Sequence, residues 1–120
     1  MKVAFFSNYL NHHQLPLCQE FLAHNDVEFV FVATEPIDEG RLKMGCENMN
    51  TYPFVVRAYE DSKQEAFADI IAETYDMVIF GDMPKSYIEK RMAKNLLSFR
   101  FCERSLKKRI METLYSANKS

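Results

Sequence analysis

Residues 2–16 of the chain read KVAFFSNYLNHHQLP. The apolar run at residues 2–7 is typical of a strand that is covered on both faces. The run stops at Ser7 and Asn8, and a polar loop with two adjacent histidines follows it. Pro16 suits the first turn of a helix, where its missing N–H is not needed. The stretch therefore predicts a buried strand, a loop at its carboxyl end and a helix.

The same alternation continues along the chain. Four further apolar or alternating runs predict strands, at residues 27–33, 54–57, 77–80 and 97–102. Helical spacing predicts helices at residues 15–24, from residue 62 onward, at 85–95 and at 105–116. Strands that alternate with helices form parallel sheets with right-handed crossovers. We therefore predict one α/β domain over residues 1–120, a Rossmann-like layer. Its open parallel sheet has about five strands in the order 3-2-1-4-5, with helices on both faces.

Two segments carry more local predictions. Residues 34–51 are polar and read as a long loop with a helical turn near residues 39–44. Ser62 and Glu65 have the spacing of a capping box, which predicts that Ser62 caps the second long helix. In that helix Phe67, Ile70, Ile71 and Thr74 follow at helical intervals.

Composition excludes several classes of protein. The chain has 120 residues, of which 48% are hydrophobic, as in a soluble globular domain. No apolar run approaches the roughly 20 residues that span a bilayer, and the first strand is not a secretory signal. Three cysteines, Cys18, Cys46 and Cys102, lack the spacing of metal ligands. We therefore expect no metal site and a reducing, cytoplasmic location.

The net charge of −2 hides an asymmetry between the two parts of the chain. Residues 1–84 hold 5 Lys/Arg and 14 Asp/Glu, whereas residues 85–109 hold 9 Lys/Arg and 2 Asp/Glu. One interpretation is a pair of solvated helix faces. The other is a basic face near an anionic membrane or a phosphate-bearing ligand. Nucleic acid is not expected, because the chain is acidic overall and no stacking motif accompanies the basic run.

The first loop argues against the common nucleotide cofactors. Residues 7–15 contain no glycine, so neither a dinucleotide fingerprint nor a Walker loop is present there. A receiver domain needs acidic residues at the end of the first strand, where this chain has Ser7 and Asn8. No cofactor is therefore expected.

Candidate site residues lie where ligands bind in open α/β sheets, in the loops at the carboxyl ends of the strands. His12 and His13 could act there as a base or as a donor to a ligand phosphate, and His13 is favoured. The alternative is one histidine that caps the helix and one in solvent. Asn8 could bind a ligand hydroxyl or merely end the strand.

The loops after the fourth and fifth strands supply four further candidates. Gly81, which is followed by the candidate Asp82, could let the backbone approach a sugar. In the alternative interpretation, Asp82 caps the next helix. Glu103 and Arg104 could bind ligand hydroxyls or phosphate, or pair with each other or with the neighbouring helix.

Three motifs, in their order along the chain, resemble those of a known protein family. These are residues 2–16, ATEP at residues 33–36 and SFRFCER at residues 98–104. Together they resemble the N-terminal domain of bacterial retaining glycosyltransferases of the two-Rossmann-domain (GT-B) type, which assemble capsule and exopolysaccharide. The resemblance covers roughly residues 1–108.

The resemblance implies a role that depends on a second domain. In the family the N-terminal domain mostly binds the acceptor, and the C-terminal domain binds the nucleotide-sugar donor. Carried over, His12, His13, Gly81 and the Glu103–Arg104 pair would face the cleft between the domains. We expect the second domain to be absent from this chain. Donor and glycan or lipid-linked acceptor would then be handled only with such a domain, and the chain alone would be inactive.

Two partner predictions and two competing functions accompany this interpretation. An uncovered domain surface predicts a homo-oligomer, and a lipid-linked acceptor predicts weak contact with the anionic inner face of the membrane. One competing function is a non-catalytic binding or interaction module with the same fold. The other is a small Rossmann-like enzyme with an unrelated substrate, which only the histidine pair favours.

Overall fold

The computed structural model of the chain describes residues 1–45, 47–83, 85–101 and 112. Five strands form one parallel sheet in the order β3-β2-β1-β4-β5, so the predicted fold class and strand order are confirmed. The strands are β1 (Lys2–Ser7), β2 (Glu28–Ala33), β3 (Val55–Arg57), β4 (Met77–Phe80) and β5 (Ser98–Arg100). The helices are α1 (Leu15–Leu22), α2 (Glu39–Lys43), α3 (Ser62–Thr74) and α4 (Ser86–Ala93), with a 3₁₀ turn at Met49–Thr51.

β1 lies at the centre of the sheet because its side chains are apolar on both faces. Val3 and Phe5 pack into the core on the α1 side, together with Cys18 and Phe21 of that helix. Ala4 and Phe6 alternate with them and pack into the core on the α3 and α4 side. The period-two alternation of a strand therefore divides one apolar run between two cores.

α3 differs from its sequence prediction in its cap and in its buried face. The cap is Asp61, whose side chain accepts a hydrogen bond from the Gln64 N–H at 2.8 Å, and Ser62 is the first helical residue. Of the residues that follow at helical intervals only Ile71 is buried, whereas Phe67, Ile70 and Thr74 are exposed. Small side chains, Ala68 and Ala72, face the sheet instead and allow the helix to lie close to it.

The positive side chains of α4 do not form an unpaired basic face. Lys90 Nζ lies 2.5 Å from an Asp69 oxygen, and Lys94 Nζ lies 3.6 Å from a Glu73 oxygen. Both carboxylates belong to α3, the neighbouring helix. The third positive side chain, Arg91, is completely buried. The net charge of residues 85–109 therefore overstates the positive charge that α4 presents to solvent.

The remaining boundaries agree with prediction to within about two residues, the usual uncertainty at element ends. β5 is shorter than expected, and the predicted helix at residues 105–116 lies outside the described residues, apart from residue 112. In the described part of the chain, no helix combines the length and the apolar character needed to cross a membrane.

Candidate functional site

The carboxyl edge of the sheet brings the predicted loops together. From β1 the strands β2 and β3 follow toward one edge of the sheet, whereas β4 and β5 lie toward the opposite edge. The direction in which strands are added therefore reverses between β1 and β4. Ligands in open α/β sheets bind in the crevice at such a switch point. The residues that end β1 and follow β4, Ser7 and Gly81, are therefore the natural place to begin.

Gly81 packs tightly against the end of β1. Its N–H donates to the Phe6 carbonyl at 2.7 Å. A Cβ added to Gly81 would lie 2.7 Å from Ser7 Oγ and 3.1 Å from Ser7 Cβ. Internal packing therefore requires glycine at this position, independently of the sugar contact that the sequence suggested.

The first loop uses much of its polar capacity internally. Ser7 Oγ accepts a hydrogen bond from Gln14 Nε2 at 3.0 Å and donates to Asn8 Oδ1 at 3.3 Å. The same Asn8 oxygen accepts from the Tyr9 N–H at 2.7 Å. Gln14 Oε1 in turn accepts from the Asn11 N–H. The carbonyl group of Asn8 therefore helps to shape the loop, and its amide nitrogen is the group that could meet a ligand.

The two histidines are exposed, and no hydrogen bond to a described residue orients either imidazole. His12 borders a cavity of only about 30 Å³, shared with Tyr9, Arg41 and Glu47. The backbone N–H of His13 donates to Asn11 Oδ1. Neither imidazole has a hydrogen-bond partner among the residues that the structure describes. A catalytic base is normally held by such a partner, so the histidines occupy the expected loop without the support that a base requires.

The structure describes only some of the other predicted site residues. Asp82 is exposed and does not cap α4, whose N-cap is Lys85 and has no side-chain cap bond. The capping interpretation of Asp82 is therefore wrong, because the helix begins too far along the chain. Glu103 and Arg104 lie outside the described residues.

Asn50 is a buried residue of this edge that the sequence analysis missed. Its Oδ1 accepts from the Leu10 N–H at 3.1 Å, and its Nδ2 donates to the Glu35 carbonyl and the Tyr59 hydroxyl, both at 3.2 Å. One amide thus joins the loops that follow β1, β2 and β3. No local sequence pattern separates it from Asn48, because its partners are distant in the chain.

An open crevice lies at the same edge, on the α3 and α4 side of the sheet. Its volume is about 290 Å³, and we call it the polar crevice. Its lining residues come from the segments after β2 and β3 and from the first turns of α3 and α4: Thr34, Ala58, Tyr59, Glu65, Ser86 and Tyr87. Four of these carry hydroxyl groups, one carries a carboxylate, and no lysine or arginine is among them. Such a lining suits a ligand rich in hydroxyl groups better than a phosphate.

Tyr87 is the most enclosed polar side chain of the polar crevice. The residue is only 8% exposed, and its ring lies 4.9 Å from the ring of Phe6. Burial, together with the carboxylates of Asp69 and Glu65, raises the pKa of the Tyr87 hydroxyl. The group therefore stays protonated to a higher pH than an exposed tyrosine and can donate a hydrogen bond.

A second depression lies between α4 and β5 and is mainly apolar. Its volume is about 480 Å³, and Phe80, Ile88, Met92 and Phe99 supply the apolar walls. Within the described part of the chain, no group of three or more His, Cys, Asp or Glu side chains is placed to hold a metal ion. Lys85, Glu89, Ser98 and Arg100 also line this second depression, so the polar crevice differs from it chiefly in that hydroxyl-bearing residues predominate in its lining.

Comparisons of the chain with protein-family models, with curated proteins and with solved structures gave no match. The fold class therefore rests on the structure alone. Function has to be argued from the carboxyl edge and from the motifs of the sequence.

Proposed function

We propose that the chain is the acceptor-binding domain of a glycosyltransferase of the two-Rossmann-domain type, inactive without a donor-binding domain. In this proposal the polar crevice receives part of the glycan or lipid-linked acceptor. The nucleotide-sugar donor binds chiefly to the second domain. A domain with this role works in the cytoplasm, where lipid-linked acceptors are reached at the inner face of the membrane.

The observation that carries the proposal is the chemistry of the polar crevice. One cavity is lined by four residues that carry hydroxyl groups and by Glu65, which carries a carboxylate; the four are Thr34, Tyr59, Ser86 and Tyr87. Sugars present many hydroxyl donors and acceptors, which such side chains can match. The cavity also lies at the edge where open α/β sheets bind their ligands. The sequence motifs that resemble glycosyltransferases add independent support.

The histidines favour binding over chemistry by this chain alone. Because His12 and His13 are exposed and lack an orienting partner in the described part, neither has the setting of a catalytic base. A site between two domains would supply what is missing, since positioning two substrates together accounts for much of the rate.

A reconstitution experiment tests the proposal. The purified chain is incubated with a panel of nucleotide sugars and glycan or lipid-linked acceptors, alone and with a separately expressed donor-binding GT-B domain. We expect no turnover by the chain alone and product only when both domains are present. The donor-binding domain alone is the control. Transfer or hydrolysis of a nucleotide sugar by the 120-residue chain alone would contradict the proposal.

A non-catalytic binding module is the second candidate, and the closed first loop favours it. Ser7 hydrogen-bonds to both Asn8 and Gln14, and neither histidine side chain of this loop has an orienting partner among the described residues, so the described part of the loop presents no positioned catalytic base. Such a module would bind saccharide through the polar crevice and would give no product with any donor-binding domain. The reconstitution experiment therefore separates the two candidates.

A further inference from the structure

We propose that the polar crevice accepts an uncharged sugar ring and rejects one that carries a carboxylate or a phosphate. The inference rests on the proposed function and adds to it the class of sugar that this subsite takes. It depends on Tyr87 and Glu65, neither of which belongs to the loop residues singled out in the sequence.

Tyr87 has a hydroxyl group that is available for a ligand. The residue is more than nine-tenths buried, yet the hydroxyl has no hydrogen-bond partner among the described residues. No side-chain nitrogen or oxygen in the described part is both fully buried and unpartnered, so the Tyr87 hydroxyl keeps some contact with solvent. Because Tyr87 lines the polar crevice, a ligand there can accept a hydrogen bond from this hydroxyl.

Glu65 gives the polar crevice a negative charge. Its carboxylate lies in the first turn of α3 and has no ion pair with any described residue. The neighbouring Lys90 is held by Asp69 at 2.5 Å. A free carboxylate accepts hydrogen bonds from sugar hydroxyls and repels an anionic ligand. No lysine or arginine is among the described residues that line the crevice, and Lys90, whose Nζ lies 5.8 Å from the centre of the Tyr87 ring, is already paired with Asp69.

The other hydroxyls complete a mixed set of donors and acceptors. Tyr59 accepts from Asn50 Nδ2 and keeps its own proton to donate. Thr34 donates to the Ser7 carbonyl at 3.3 Å and keeps its lone pairs to accept. The volume of about 290 Å³ is at the lower end of the range for small-molecule pockets, which limits the occupant to about one sugar ring.

Binding of two matched monosaccharides tests the inference. The full chain is titrated with methyl glucoside and with methyl glucuronoside, which differs by a carboxylate, and binding is followed by NMR. We expect the neutral sugar to bind at least about tenfold more tightly, as one unfavourable charge contact would produce. The resonances that shift should be those of Thr34, Tyr59 and Ser86.

Two conservative variants separate the roles of the side chains. Tyr87→Phe keeps the ring against Phe6, and we expect neutral-sugar binding to weaken by roughly threefold to tenfold, the loss of one hydrogen bond. Glu65→Gln should reduce the preference for the neutral sugar to about threefold or less, because it removes the repulsion. The controls are Tyr52→Phe and Glu89→Gln, a tyrosine and a first-turn carboxylate outside the crevice.

Three outcomes would overturn the inference. Equal affinity for the two sugars would show that the crevice does not distinguish a neutral sugar from an anionic one. Saccharide binding that leaves the crevice resonances unchanged, or that both variants leave intact, would place the sugar elsewhere and would remove the polar crevice from the proposed function. Product in the reconstitution experiment would still support a two-domain glycosyltransferase. Absence of all saccharide binding would overturn both proposals.

Discussion

Arg91 is a charged side chain that serves as a core residue. It is fully buried, and its guanidinium donates to the carbonyls of Ala72, Tyr75 and Leu97 and to the Ser98 hydroxyl, at 2.7–3.1 Å. Burial lowers its pKa to about 10, which still leaves it charged at neutral pH. One side chain thus joins the end of α3 to the strand that follows α4.

We predict that Arg91→Met destabilises the protein by about 3 kcal/mol, because the carbonyls of Ala72, Tyr75 and Leu97 all lose the guanidinium as a hydrogen-bond donor. The free energy of unfolding from urea denaturation measures the effect. Lys94→Met is the control, since an exposed ion pair is worth less than about 1 kcal/mol. Equal stability of the two variants would contradict this role for Arg91.

We predict that ionisation of the Cys18 thiol lowers the stability of the protein at alkaline pH. The thiol is buried, and burial raises its pKa from 9.0 to about 12. The unfolded chain therefore releases this proton at lower pH than the folded one, and stability falls as pH rises above 9. Between pH 9 and 10.5 the thiol alone accounts for a loss of about 2 kcal/mol.

The comparison is with Cys18→Ala, which should be less stable at neutral pH but should lose less on going to alkaline pH. Urea unfolding at several pH values measures both curves. If the two proteins lost the same stability over this interval, the thiol would not be the group responsible.

At the scale of the element, α3 shows why helical spacing can select the wrong face. Phe67, Ile70 and Ile71 are larger than Ala68 and Ala72, so periodicity alone assigns them to the core. The helix instead turns Ala68 and Ala72 toward the sheet, because small side chains permit a close approach. Contact distance to another element is not encoded in the local pattern, so the sequence could not settle this choice.

Adjacent isoleucines in α3 test the assignment with identical chemistry. Ile71→Ala should cost about 3 kcal/mol, since it leaves a cavity in the core. Ile70→Ala should change stability by less than about 0.5 kcal/mol, since Ile70 is 57% exposed. Thermal or urea unfolding compares them, and a larger cost at Ile70 would reverse the assigned faces.

The arrangement of α4 and β5 also decides how membrane contact should be tested. Lys90 and Lys94 are paired with α3 and Arg91 is buried, whereas Lys85 and Arg100 are exposed and have no ion pair among the described residues. We predict that Lys85→Glu with Arg100→Glu weakens co-sedimentation with anionic vesicles at low salt. Lys90→Glu with Lys94→Glu should weaken it less. The same effect from both double variants would contradict this division.

At the scale of the whole molecule, the fold was predictable because few topologies satisfy the pattern. β1 is apolar on both faces and must be central, and right-handed crossovers then limit where the other strands can lie. The polar crevice was not predictable in the same way. Glu65 and Tyr87 belong to helical first turns that are 22 residues apart in the chain, and only the packing of α3 on α4 brings them together.

The central claim is that this chain binds the acceptor side of a glycosyl transfer through the carboxyl edge of its sheet. The most direct measurement is a pair of ¹H–¹⁵N NMR titrations of the full chain, one with a panel of oligosaccharides and one with nucleotide sugars. We predict that an oligosaccharide shifts the backbone resonances of Thr34, Tyr59 and Ser86, and that nucleotide sugars leave them unchanged. Shifts of these resonances by nucleotide sugars, with no response to any oligosaccharide, would contradict the claim.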